Sequence, residues 1–207
     1  GPPVVERGLG KTVTKEELGG VKIHAYESGL VDNIAEDEQD AFEQVRRFLS
    51  YLPSSVYELP PVEECSDPTD RREETLIDIV PRERNRPQNT RKMIGLIVDQ
   101  ESFFEMGRYF GRSQITGFAR LAGRPVGVLA GDPMMAGGAT DANAAQKLES
   151  FIDLCDTFHL PIVNFADNPG FMIGPNAEAS GTLRHGARAL CAMDASTVPW
   201  ATVIVRK

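Results

Sequence analysis

Disulfide and metal chemistry have little to work with in this sequence. Cysteine is scarce, with three in 207 residues. Cys65, Cys155 and Cys191 are an odd number with wide spacing and no CxxC pair, which excludes a disulfide scaffold and a zinc ribbon. Cys155 and Cys191 sit among apolar neighbours and are expected to be small core side chains in a reducing, intracellular compartment. The three histidines, His24, His159 and His185, form no HxH or HxxxH pair, so no metal ligation is expected. Positive charge is in deficit, with 22 Lys and Arg against 30 Asp and Glu and a net charge of −8. That balance argues against general binding to nucleic acid or to anionic lipid. No apolar run approaches the roughly 18 residues of a membrane span. The opening Gly1-Pro2-Pro3 has neither a basic start nor an apolar h-region, so no signal peptide is expected. Also missing are a GxSxG elbow, a GxxxxGK[ST] phosphate loop, and a GxGxxG after a strand. No Ser-His-Asp set can be drawn.

What is present is ordinary for a globular protein: 41% hydrophobic and 25% charged residues. Thr14 to Glu17 reads as a helix start stopped by Gly19-Gly20, and Val21 to His24 as a short strand. Asp37-Glu38 open a clear helix with Phe42, Val45, Leu49 and Leu52 at helical spacing, which Pro53 ends. Four prolines, and four acidic groups from Glu63 to Asp70, mark the stretch 53–72 as a linker and domain boundary. Pro81 to Lys92 carries Arg82, Arg84, Arg86, Arg91 and Lys92. Two readings stand there, a clamp for phosphates or an acidic partner, and a solvated loop or subunit contact.

In the second half, Met93 to Val98 reads as a buried helical segment. Ile115 to Leu121 and Arg124 to Ala130 read as two strands of a hairpin turning at Ala122-Gly123. The best helix spans 141–158, with Ala144, Leu148, Phe151, Cys155 and Phe158 on one face. Leu160 to Ala166 is a strand. Thr182 to Ala195 is a helix expected to bury Leu183, Ala187 and Leu190. Trp200 to Val205 is a last buried strand. Strands alternating with helices at this spacing mean α/β with crossovers. A chain that stops at Arg206-Lys207 straight after a buried strand is expected to be a piece of something longer.

Two glycine-bearing loops could hold chemistry. Met134 to Asp141 lies between a strand end and the best helix. Its small residues and the free N–H groups of the helix start can receive an oxyanion. The alternative is a plain strand-to-helix turn with Asp141 as the N-cap. Asp167 to Gly174 follows a strand end, the usual ligand crevice in α/β proteins, and is equally readable as a turn.

Taken together these stretches resemble the carboxyltransferase (β) component of biotin-dependent acyl-CoA carboxylases of the propionyl-CoA and acetyl-CoA carboxylase type. The resemblance runs through Gly1 to Val5, Glu17 to Gly20, Asp99 with Phe103 to Glu105, and Gly117 to Leu121. It continues through Gly137 to Lys147, Cys155-Asp156, Pro169 to Phe171, Leu183 to Ala187, Thr197 to Pro199, and Thr202 to Ile204 with Arg206-Lys207. It implies a crotonase-like (ClpP/crotonase) spiral of ββα units forming parts of two related subdomains. On that basis 1–59 would end the N-domain, 60–80 would be the linker, and 81–207 would begin a truncated C-domain.

The implied reaction moves a carboxyl group from carboxybiotin, held on a carrier protein, to the α-carbon of a short-chain acyl-CoA. Backbone donors, rather than a side-chain base, would stabilise the enolates. By position, Gly138 and Ala139 match the backbone oxyanion pair. Gly137, Pro169, Gly170, Phe171 and Gly174 match the biotin slot, and Asp141 a pocket position for short acyl chains. Implied partners are a biotin carboxylase, a biotin carboxyl carrier subunit and further copies in a trimer-based hexamer. No metal, nucleic acid or membrane is implied, and the location would be cytoplasmic, or the mitochondrial matrix if eukaryotic. Asn168 stands where the family often has a small aliphatic residue. Met172-Ile173 and Ala179 to Thr182 also depart from the family pattern, which leaves the acyl substrate open. Alternatives are a decarboxylase or transcarboxylase subunit using the same chemistry, and a non-catalytic assembly piece. A hydratase-type crotonase would need a pair of carboxylates that the two loops do not offer.

Overall fold

The computed structural model describes residues 1–83 and 86–206. Arg84, one of the five cations of the basic stretch, lies outside the described residues. The helices are α1 (Pro2–Leu9), α2 (Lys15–Gly19), α3 (Glu38–Ser50), α4 (Leu76–Ile79), α5 (Thr90–Ile97), α6 (Ala142–Thr157), α7 (Pro175–Ala179) and α8 (Thr182–Ala195). The strands are β1 (Phe104–Met106), β2 (Gln114–Leu121), β3 (Arg124–Gly131), β4 (Ile162–Ala166) and β5 (Trp200–Ile204). They form one sheet in the order β1-β2-β3-β4-β5. β1, β2 and β3 pair antiparallel, whereas β3, β4 and β5 run parallel, with α6 between β3 and β4 and α8 between β4 and β5.

Alternation along β2 and β3 explains why the sheet is buried on both faces. Ile115, Ala119, Val126, Val128 and Ala130 face one way and meet Met93 and Ile94 of α5. Phe118 and Leu129 face the other way and meet Leu148, Phe151, Ile152 and Cys155 of α6. Tyr51, Phe118 and Phe151 form a row of tilted rings on that side, with centroids 5.5 Å apart at each step. The Ala122-Gly123 turn closes the hairpin as expected. Both residues have positive φ, as a turn matched to strand twist requires. Both expected helix starts are present in this part of the chain. Thr14 and Glu17 bond reciprocally across the start of α2, and Asp37 caps α3.

Several expectations fail, each for a packing reason. Val21 to His24 is no strand. After Gly20 the chain folds back on itself as a π-helical turn, Lys22–Glu27, with Ile23 and His24 N–H donating to the Gly20 carbonyl. The apolar stripe of α3 is present, but Phe42, Val45 and Leu49 lie about half exposed while Phe48, Tyr51 and Leu52 make the contact with the core. In α8 the orientation is reversed. Leu183 and Leu190 are 77% and 53% exposed, and Ala187 is exposed too. The buried face is Thr182, Gly186 and Ala189, small residues that let α8 lie close to α6 and the Phe171 ring. Cys191 follows that rotation and is exposed, whereas Cys155 is buried as expected. β5 forms the sheet edge, so Ala201 to Ile204 are exposed rather than buried. Periodicity locates an apolar stripe but not the partner it meets, and the partner decides its orientation. α1, α4, α7 and the three-residue β1 carry too little pattern to stand out in the sequence.

No helix or strand occurs between Ser50 and Leu76. This stretch is tied down all the same. The buried Arg120 guanidinium donates to the carbonyls of Ser50, Pro61 and Gly123 and to the Glu63 carboxylate. Arg91 is a second anchor. It forks onto Glu105 at 2.6–3.0 Å and reaches Asp132, itself 3% exposed, at 2.5 Å. The basic stretch is therefore in part an internal ion-pair anchor and not wholly a solvated loop.

Two predictions follow from these buried charges. Arg91→Met leaves Asp132 buried without its cation, and unfolding of the complete protein is expected to become easier by about 3 kcal/mol. Denaturant midpoints measure this, and an unchanged midpoint refutes it. Lys147 on α6 is also buried, with Nζ donating to the carbonyls of Gly107 and Phe110 at 3.0 and 2.6 Å. Burial lowers its pKa to about 8. The unfolded chain keeps the ordinary value near ~10.4, so between these values it binds more protons than the fold does. The cost of burying this ammonium is thus full below pH 8 and is relieved as pH rises toward ~10.4, on the order of 3 kcal/mol. Stability compared between wild type and Lys147→Met across that range is expected to shift in favour of wild type. A constant difference rules it out.

Candidate active site

Parallel pairing sets Ala130 opposite Phe165, so β3 and β4 release their following loops at the same edge of the sheet. The β3 loop begins at Asp132. Its carboxylate accepts from Met134 N–H at 3.0 Å and its carbonyl from Met135 N–H at 3.0 Å. A 3₁₀ turn, Ala136–Gly138, follows. Asp141 then caps α6 by accepting from Ala144 N–H at 2.7 Å. The cap half of the sequence reading is therefore realised. Gly138 N–H donates to Met135 O at 2.9 Å and Ala139 N–H to Ala136 O at 3.2 Å. Both expected donors are engaged inside the turn, the second by the longer bond.

Gly138 is buried at φ +82°, and a Cβ there would lie 2.6 Å from the carbonyl oxygen of Asp167. Asp167 is the first residue after β4 and is 1% exposed. Its carboxylate accepts from Gln88 Nε2 at 2.7 Å and from Arg206 at 3.1 Å. The end of β4 is thereby tied both to the chain before α5 and to the chain after β5.

The two loops touch. Thr140 N–H donates to Gly170 O at 3.0 Å, and Met172 N–H donates to Thr140 O at 2.9 Å, a short parallel bridge between Thr140 and Phe171. Phe171 lies over Gly186 of α8, where a Cβ would come within 2.8 Å of the ring. Gly137, Gly170 and Gly174 all have positive φ and open space where a side chain would stand, so bare backbone faces solvent along this edge. A cavity of about 460 Å³ runs beside it, lined by Asp141, Met172, Gly174, Pro175, Ser180 and Thr182 among others.

The structure thus gathers Gly137, Gly138, Ala139, Asp141, Gly170, Phe171 and Gly174 at one sheet edge, with Pro169 on the approach to it. The sequence reading missed Gln88 and Gln114 and gave no role to Thr140 and Asp167 within its two loops, the polar side chains beneath, all 5% exposed or less. Short polar residues flanking the loops were the available signal, but partners 26 to 79 residues away are invisible to local pattern. Among the described residues no group of His, Cys, Asp and Glu could hold a metal.

With this geometry in place, the comparisons with known proteins are specific. The sequence matches the carboxyl transferase domain family over residues 1–207. It is 42% identical over 207 residues to the mitochondrial propionyl-CoA carboxylase beta chain of Homo sapiens, of which it covers 38%. It is 40% identical to the methylmalonyl-CoA decarboxylase subunit alpha of Veillonella parvula, covering 41% of that protein. Among solved structures, the transcarboxylase 12S hexamer with methylmalonyl-coenzyme A and methylmalonic acid bound superposes with a TM-score of 0.92. The two are 35% identical, and the match covers 98% of this chain and 39% of the other. The chain spans about two fifths of the length of these relatives. Its fold is the mixed α/β, crotonase-like one that the sequence implied, and the chain belongs to the carboxyl transferase domain family.

Proposed function

We propose that the complete protein is a carboxyltransferase that moves a carboxyl group from carboxybiotin to the α-carbon of a short-chain acyl-CoA. The observation that carries this reading is the bridged pair of glycine loops at the joint edge of β3 and β4, within a carboxyl transferase domain. The residues fit a flat ring. Gly137, Gly170 and Gly174 present backbone without side chains, and the half-exposed Phe171 supplies an apolar wall. Carboxybiotin, when bound, supplies the carboxyl group to be transferred. The chain supplies position and charge stabilisation. The start of α6 lies beside the loop and brings the positive end of its dipole to the site. A backbone N–H can be shared between two acceptors. Ala139 N–H, held at 3.2 Å within its turn, is the donor more readily redirected to an oxyanion.

The same reading keeps 1–59 and 81–207 as parts of two related domains joined through 60–80. It also takes in a biotin carboxylase, a biotin carboxyl carrier, a trimer-based hexamer and a cytoplasmic or mitochondrial-matrix setting. Asp141, which borders the cavity beside α7, is read as a selector of short acyl chains.

Three outcomes are expected. The complete protein with its biotin partners, given labelled bicarbonate and acetyl-, propionyl- or longer acyl-CoA, places label in a short acyl-CoA. Label in none of them from a folded, biotinylated complex overturns the reading. Gly138→Ala drives a methyl group into the Asp167 carbonyl, and turnover should fall at least about 100-fold, the scale of losing one oxyanion donor. Unchanged turnover in a folded variant removes Gly138 from the site. Asp141→Asn keeps a good helix cap, so melting should hold while the ratio of kcat/KM between acetyl- and propionyl-CoA shifts. An unshifted ratio removes Asp141 from the pocket.

A further inference from the structure

Beneath the two loops lies a continuous polar relay that the reading above does not use. Gly170 N–H donates to Asn168 Oδ1 at 2.7 Å. Because an N–H can only donate, the Asn168 amide must present its NH₂ on the other side. That NH₂ donates to Thr140 Oγ1 at 2.7 Å. The same hydroxyl accepts from Gln114 Nε2 at 3.2 Å, and the Gln114 amide also reaches the Gly138 carbonyl at 3.3 Å. Thr140 is 1% exposed and Gln114 5%, so water does not compete for the bonds at the Gln114 end of the relay.

The end of the relay has a geometric consequence. The carbonyl of Gly138 and the N–H of Ala139 belong to one planar trans peptide and point in opposite directions. Holding the carbonyl down toward Gln114 therefore aims the Ala139 N–H away from the sheet. At its other end, the Asn168 turn sets Gly170 and, through the Thr140 bridge, Phe171 and Met172.

We propose that Gln114, Thr140 and Asn168 are positioning residues that fix the two loops against each other and so set the geometry of the slot for the biotin ring. The inference rests on the carboxyl-transfer reading. It assigns the relay to the biotin side and leaves the thioester side untouched.

Thr140→Val keeps the shape and the bridging backbone but deletes the shared hydroxyl, whereas Thr140→Ser retains it. In the complete protein, with free biotin as carboxyl acceptor from malonyl-CoA or methylmalonyl-CoA, whichever it uses, Thr140→Val should raise the KM for biotin about five- to tenfold. The KM for the CoA thioester should stay unchanged. Hydrogen exchange of the Gly170 and Met172 amides should quicken by a similar factor. Thr140→Ser should restore both. Wild-type values for biotin KM and amide exchange in Thr140→Val overturn the proposal. So does a Thr140→Ser variant as impaired as Thr140→Val, because the residue then acts through packing. If wild type carries no carboxyl group to biotin, the reading of function fails. The exchange rates still decide whether the relay holds the loops.

Discussion

Strands β3 and β4 lie parallel, with Ala130 opposite Phe165, and the loops that leave them emerge together. The remaining features of the site are ways of holding that arrangement. Asp167, at the first turn beyond β4, presses its carbonyl against Gly131 and Gly138, where no side chain would fit. Its carboxylate is tethered by Gln88, which precedes α5, and by Arg206, which follows β5. A buried carboxylate is costly unless it is paired and hydrogen-bonded, so this pairing is a condition of the fold as well as of the site.

A second layer of support comes from three buried or partly buried cations. Arg91 joins α5 to β1 and to the end of β3, and Arg120 joins the hairpin to the segment after α3. Lys147 holds the turn between Gly107 and Phe110 against α6. These three cations, each satisfied mainly by backbone carbonyls or buried carboxylates, replace the apolar contacts that the irregular segments cannot make. The electrostatic character of the site then rests on backbone. Bare glycines and a helix start lie along the loops, whereas the Gly138 and Ala139 N–H groups are held within their own turn.

The exposed apolar surfaces point the same way. The α3 stripe, Leu183 and Leu190 on α8, and the edge strand β5 all leave hydrophobic side chains open to solvent. The chain spans about two fifths of the length of its relatives, and one of those relatives is seen as a hexamer.

Much of this was legible in the sequence. The hairpin at Ala122-Gly123, helix α6 with its Asp141 cap, and strand β4 with its turn at Asp167 each follow from period, turn residues and caps, which act within a few residues. The family resemblance pointed to Gly138, Ala139, Gly170 and Phe171 together, and the structure brings their two loops into contact. Three things were decided only by tertiary structure. The face of α8 that is buried is its small-residue face, since close approach to α6 and Phe171 outweighed the larger apolar stripe. The donors at Gly138 and Ala139 are turned into their own loop. The polar relay from Asn168 to Gln114 joins residues 54 positions apart. Hydrogen bonds of that reach depend on where strands pair, and pairing is set by the whole sheet rather than by any local stretch of chain.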